Sequence, residues 1–210
     1  MTGGAHMGRH VFRGYIAGVG TQEGTRLVVG RWVESPLGTF TDVMVERANG
    51  WRILLAPSAE VADFVTATYT FDEVITVPVS CEVTTVSPGV DHWGLKAGPL
   101  ELSLTTGERT PLGWLLHLIP TYVATSPAFC RLTDVPARLV GLRTAGTAGH
   151  GRREFYGACD VHAITDSIAS WQGQDLGSLQ RVAPPVRFGF GSTPPRPAMT
   201  SVTTTIIDAN

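Results

Sequence analysis

Phe40, Val43 and Val45 lead into Asn49-Gly50, and Trp51, Ile53 and Leu55 follow at every second position. This unit, Thr39 to Pro57, constrains the fold more than any other stretch of the chain. Period-two alternation gives a strand one apolar face, and Asn-Gly tolerates the positive φ angles of a type I′ turn, whose twist matches that of paired strands. A β-hairpin is therefore expected here. Ser58 can cap the segment that follows, and Glu60 lies in its first turn. Val61, Phe64 and Val65, continued by Thr68 or Tyr69, recur at spacings of three and four. That spacing predicts a helix from Ala59 to about Thr70 with one face on a sheet.

The rest of the chain is punctuated in the same way. Twenty-four glycines and 14 prolines are spread along 210 residues, and only 16% of residues are charged, which suits many short elements joined by tight turns. Strands are expected at His10 to Val19, Arg26 to Trp32, Val77 to Val83 and Leu100 to Leu104, with Pro78 forcing an edge or a bulge. Further strands are expected near Ala137 to Arg143, Arg153 to Ile164, Val186 to Phe190 and Ser201 to Ile207. Thr110-Pro111 starts a second short helix that carries Leu112, Leu115, Leu116 and Ile119 and stops at Pro120. The expectation is a mostly antiparallel α+β domain with a barrel-like or sandwich-like core and two short helices. It spans residues 8–210, behind an unstructured leader at 1–7, natural or left by cloning.

A net charge of −2 and the lack of a basic run give no footprint for nucleic acid, and no stretch is long and apolar enough for a membrane span. The three cysteines, Cys81, Cys130 and Cys159, form no C-x-x-C pair and read as buried thiols, without disulfide or metal. With no secretory leader pattern, the expectation is a cytoplasmic protein without a cofactor.

Lysine-dependent chemistry has one candidate, Lys96, against fifteen arginines. The chain has no G-x-S-x-G, H-E-x-x-H or EF-hand pattern, and Gly18 to Gly20 lacks the third glycine and helix of a dinucleotide loop. Asp160 and His162 fall on one face of a strand, a hydrogen-bonded pair that could orient an imidazole. His117, among leucines, reads as a partly buried core or groove histidine. The glycine-rich segment Gly146 to Tyr156 delivers Arg152 and Arg153 beside Glu154 and Tyr156. Such a cluster could clamp a carboxylate or phosphate bidentately, or could be a solvated hairpin tip.

The run from Gly38 to Val83 resembles the acetoacetate decarboxylase-like superfamily. Gly38, Thr39, Phe40, Thr41 and Asp42 match a strand motif that usually ends in glutamate, and Trp51 to Pro57, Ala59 to Thr70 and Val74 to Val83 follow in the family's order. A fainter likeness touches Pro120 to Ile164. The resemblance implies a closed, mostly antiparallel β-barrel with a small-molecule pocket. Where the family's decarboxylases carry two lysines after the helix, this chain has Thr70-Phe71-Asp72-Glu73, so imine chemistry is expected to be lost. The leading expectation is a barrel that binds a small polar or anionic organic ligand, with Arg152 or Arg153 on the anionic group and Asp42, Glu154, Tyr156 and His162 lining the cavity. One rival is a Schiff-base decarboxylase or aldolase using Lys96, through the motif-like Trp93-Gly94-Leu95-Lys96. The other is a noncatalytic barrel that acts as a homo-oligomer or partner module.

Overall fold

The computed structural model describes residues 8–138, 144–147, 152–189 and 193–208. The expected leader at 1–7 and the loop residues 148–151 lie outside the described residues. The strands are β1 (Arg9–Thr21), β2 (Arg26–Glu34), β3 (Phe40–Glu46), β4 (Arg52–Ala56), β5 (Glu73–Thr76), β6 (Val79–Ser87), β7 (Val90–Ala97), β8 (Leu100–Arg109), β9 (Ala145–Thr147), β10 (Arg153–Trp171), β11 (Gln174–Asp175), β12 (Leu179–Gln180) and β13 (Ala198–Ile207). Four helices accompany them, α1 (Ala59–Thr66), α2 (Pro111–His117), α3 (Thr121–Ala124) and α4 (Pro127–Arg138).

All strands belong to one sheet, whose main path runs β5-β4-β3-β2-β1-β13-β10-β8-β7-β6. Every pairing is antiparallel except β4 with β5. The sheet curls into a half-barrel, and β6, at one end of the path, returns to touch β3 near the other. Val77 and Pro78 bridge the gap. The sequence suggests one outgoing strand from Val74 to Val83, whereas proline splits it into β5 beside β4 and β6 beside β7. Missing an amide donor, Pro78 sits where the chain leaves one edge and starts the other.

The interior of the curl is filled by aliphatic side chains. Ala17, Val19, Leu27, Val29, Val43 and Val45 from the first strands meet Trp93, Leu95, Leu100, Leu102 and Leu104 from β7 and β8. Period-two alternation then turns Val28, Gly30 and Trp32 of β2, and Phe40, Asp42 and Met44 of β3, to the opposite face, where α1 packs. The interior, expected to be a hollow chamber, is packed instead.

Local rules set several element ends as expected. Ser58 Oγ accepts from Val61 N at 3.3 Å at the start of α1, and Thr110 Oγ1 from Gly113 N at 3.0 Å at the start of α2. The β3–β4 hairpin forms, but only Gly50 takes positive φ (86°). The Arg47 carbonyl accepts from Gly50 N, and Asn49 Oδ1 accepts from Trp51 N. This is a type I turn closed by a glycine bulge rather than the type I′ turn suggested by Asn-Gly.

Other expectations fail. Helix α1 ends at Thr66, short of Thr70. The strand expected from Ala137 begins inside α4, and residues 139–143 lie outside the described residues. Ser126 Oγ accepts from Phe129 N and Pro127 opens α4, a proline-first helix start. Among the described residues four helices therefore stand where two were expected. The leucine stripe of α2 is not core: Leu115 is exposed, as is His117, which stands edge-on to Trp114. Of the thiols only Cys130 is fully buried, while Cys81 and Cys159 are half-buried. Residues 186–189 form no strand; they run as a strap held by Glu46 and Thr70. The described residues include no helix long and apolar enough to cross a membrane.

Candidate functional site

Under α1, on the face opposite the aliphatic core, lies a cavity of about 70 Å³. Its walls are apolar: Phe12, Trp32, Phe40, Met44, Phe64 and Phe188. Sheet register brings the polar members together from distant parts of the chain. Tyr156 of β10 lies opposite Thr204 of β13, which lies opposite Phe12 of β1, and Asp42 of β3 lies opposite Gly30 of β2. Tyr69, one turn beyond α1, descends onto this row.

Glu154 is 1% exposed, and Tyr69 donates to its Oε1 at 2.7 Å. The Tyr69 and Tyr156 hydroxyls are themselves in hydrogen-bond contact. Burial pushes the Glu154 carboxyl up from 4.5 to about 7, although both tyrosines pull it down by hydrogen bonding. The phenols also titrate well above their usual range, first because they are buried and next because Glu154 is close. Asp42 is 2% exposed, and its Oδ1 accepts from Trp32 Nε1 at 3.1 Å. Burial raises this carboxyl from 3.8 to about 7 against the indole hydrogen bond. Gly30 makes room for the pair, because a Cβ there would stand 2.7 Å from Asp42 Oδ1 and 2.8 Å from Trp32 Nε1.

Two polar atoms of the lining have no hydrogen-bond partner among the described residues: Glu154 Oε2 and Thr204 Oγ1. A buried unpaired oxygen costs roughly 1–3 kcal/mol, so a pair of them in a cavity wall is a place for a ligand or ordered water to bind.

A strap closes the cavity. Glu46, at 0% exposure, receives Arg26 Nη2 at 2.8 Å, Arg187 Nε at 2.9 Å and the Arg187 amide at 2.7 Å. The Phe188 carbonyl accepts from Thr70 N, and the Phe188 ring lies against Phe71. A larger recess of about 520 Å³ adjoins the cavity and shares Ile16, Tyr156 and Thr193 with it; Arg181 and Arg196 are exposed on its rim.

Of the residues singled out in the sequence, Asp42, Glu154 and Tyr156 line one cavity, and the others do not. Arg152 is held by Asp208 (3.0 Å), by Thr68 Oγ1 (3.3 Å) and over the Phe64 ring, and Arg153 is exposed. Alternation turns Arg153 away from the face of Glu154, whereas Arg152 shares that parity and is taken up beside α1. His162 misses the cavity because a bulge between Ala158 and Asp160 shifts the phase of β10. Its Nδ1 faces the Gly107 carbonyl at 3.0 Å and its Nε2 lies 3.5 Å from Asp160 Oδ2, the pairing expected from the sequence, while Arg109 holds Asp160 bidentately. Lys96 projects from β7 into solvent, 3.9 Å from Glu101. Asp72 pairs with Arg52 and Glu73 accepts from Trp51, both on the surface and away from the cavity. Sequence reasoning missed Trp32, Tyr69 and Thr204. A signal for Tyr69 was its place in the apolar stripe of α1; none marked Thr204.

Among the described residues, no three His, Cys, Asp or Glu side chains converge as a metal site would require. No protein-family model matches the chain, and neither a curated protein nor a solved structure does so.

Proposed function

We propose that the protein binds a small, mostly apolar organic molecule bearing one hydrogen-bonding head, in the cavity between α1 and the sheet, without imine chemistry. The unpaired Glu154 Oε2, buried in an aromatic-walled cavity beside Asp42 and Thr204, carries this reading. The ionisable lining is acidic, which favours an uncharged head group over the anionic ligand expected from Arg152 and Arg153. The order β3, β4, α1, β5 supports the resemblance to the acetoacetate decarboxylase-like superfamily, and the solvent position of Lys96 supports the loss of its lysine chemistry.

Line broadening in 19F NMR tests the reading with 4-fluorophenol as probe. Wild-type protein should broaden the signal saturably, and Glu154→Gln should weaken binding roughly tenfold, the cost of about one mispaired buried hydrogen bond. An unbroadened signal at millimolar probe would refute it. Borohydride with acetoacetate should leave the intact mass unchanged in wild type and in Lys96→Arg alike; a reduced adduct on wild type alone would restore the lysine reading.

A second reading rests on a separate observation. Along α2 to α4, Trp114, Leu115, Leu118, Tyr122 and Leu132 are exposed, Leu118 and Tyr122 at 79% each. Isolated apolar side chains are ordinary on surfaces, but five on three successive helices favour self-association through this face. Light scattering after size exclusion should give a mass above that of the monomer, reduced to 22.4 kDa by Leu118→Glu with Tyr122→Glu. A monomeric wild type excludes it.

A further inference from the structure

The cavity holds two carboxyl groups in different settings. The Trp32 indole donates to one oxygen of Asp42. Glu154 ends a tyrosine chain and leaves its second oxygen unpaired. Resting on the binding reading above, we propose that this pair catalyses proton transfer at the carbon next to a ketone, with Asp42 as the base and the Glu154 acid as hydrogen-bond donor to the carbonyl oxygen.

The chemistry balances within the site. An Asp42 carboxylate oxygen takes a proton from the α-carbon; the C–H electron pair becomes the C=C bond of an enolate, and the carbonyl π pair moves to oxygen. That oxygen accepts a hydrogen bond from the protonated Oε2 of Glu154. Asp42 then returns the proton to the same carbon, or to the γ-carbon of a conjugated enone, so the outcome is exchange or isomerisation. No oxidant, reductant or co-reactant enters. A water-poor, aromatic-walled cavity strengthens the hydrogen bond to the developing oxyanion. It also lets a carboxylic acid remain neutral near pH 7, as the handling of paired acids in apolar enzyme sites requires.

The pairing has a definite working state. The groups that face Glu154 are the Tyr69 and Tyr156 hydroxyls, and those that face Asp42 are the Trp32 indole and, more distantly, Tyr156. Among the described lining residues there is no cation. With no cation to offset burial, each carboxyl gives up its proton only near 7. In the proposed working state Glu154 holds the proton and Asp42 is ionised, with the Trp32 indole on its Oδ1. Tyr69 is a positioning residue that holds Oε1 and leaves Oε2 without a partner.

Deuterium exchange tests the proposal, with acetone and cyclohexanone as probes in D2O followed by 1H NMR and with 4-fluorophenol binding measured in parallel. Exchange at the α-carbon should exceed the buffer rate and saturate with ketone. It should fall by about 100-fold or more in Asp42→Asn, the usual scale for losing a general base. Tyr69→Phe should move the pH profile of exchange and not merely lower its amplitude. Should Asp42→Asn fail to fold, a wild-type exchange rate that does not change with pH between 5 and 9 would count against the proposal in its place. Binding of 4-fluorophenol with exchange at the buffer rate overturns the proton-transfer proposal and leaves the binding reading intact. Absence of both overturns both. Full exchange in Asp42→Asn removes the base.

Discussion

Glu46→Ala should destabilise the protein by about 3–5 kcal/mol in urea denaturation at pH 7, the cost of stranding a buried charge whose partner has been removed. Glu46 is wholly buried, and the Arg26 side chain directly across the β2–β3 ladder is 5% exposed. Arg26 Nε already lacks a hydrogen-bond partner among the described residues, so the Glu46 contact at Nη2 is what compensates that cation. Removing the carboxylate also frees the Arg187 amide and guanidinium, and with them the strap that lays Phe188 over the cavity. The same variant should therefore weaken 4-fluorophenol binding even at temperatures where it remains folded. Glu34 provides the control. Its ion pair with Arg13 is largely exposed on both sides, and Glu34→Ala should change stability by less than about 1 kcal/mol. Equal losses in the two variants would show that the buried cluster anchors nothing.

The strap also marks where sequence reading stops. Val186 to Phe190 alternates as a strand does, yet its amide at Arg187 goes to a side-chain carboxylate 141 residues away instead of to a neighbouring strand. No local pattern encodes that. What was legible obeys short-range rules: the Ser58 and Thr110 caps, the hairpin at Asn49-Gly50, the edge position forced by Pro78. The helix from Pro127 goes unpredicted although Ser126-Pro127 is a fair start signal, and only its last two residues, Ala137 and Arg138, fall in an expected strand. The cavity shows the same division. Asp42, Glu154 and Tyr156 were picked out one by one for their chemistry, but the register that seats them together, across β10, β13, β1, β2 and β3, is a long-range property. Period two could have excluded Arg153 once Glu154 was placed inside. His162 keeps the parity of Glu154, and only the bulge at Ala158/Asp160 removes it from the cavity.

The two cavity carboxyls should make the protein less stable as pH rises from about 4 to about 7, and neutral variants should remove that dependence. Asp42 and Glu154 each hold a proton up to about 7 in the folded chain, against 3.8 and 4.5 ordinarily. Below those ordinary values both the folded and the unfolded chain are protonated, and neither group costs anything. Between them and pH 7 the unfolded chain releases protons that the folded chain retains, so stability falls with pH. Above 7 both states are ionised and the penalty is complete. At 1.36 kcal/mol per pKa unit the shift is worth roughly 3–4 kcal/mol for each group, less when the two are coupled. Surface carboxyls work in the opposite sense: Asp72 is held down to about 2 by its hydrogen bonds to Arg52, and Asp160 and Asp208 are also lowered, so their contributions are lost as pH falls. The informative quantity is therefore the difference between wild type and variant. Glu154→Gln and Asp42→Asn should each match or trail wild type at pH 4 and exceed it at pH 8 by about 1–3 kcal/mol, with the gain appearing between pH 4 and 7. Urea titrations at several pH values measure it, and variants that are no more stable than wild type at pH 8 would mean that these carboxyls ionise in the folded protein as freely as in water. A gain in stability coupled to a loss of ketone exchange in Asp42→Asn would identify the burial of this acid as a cost borne for its chemistry.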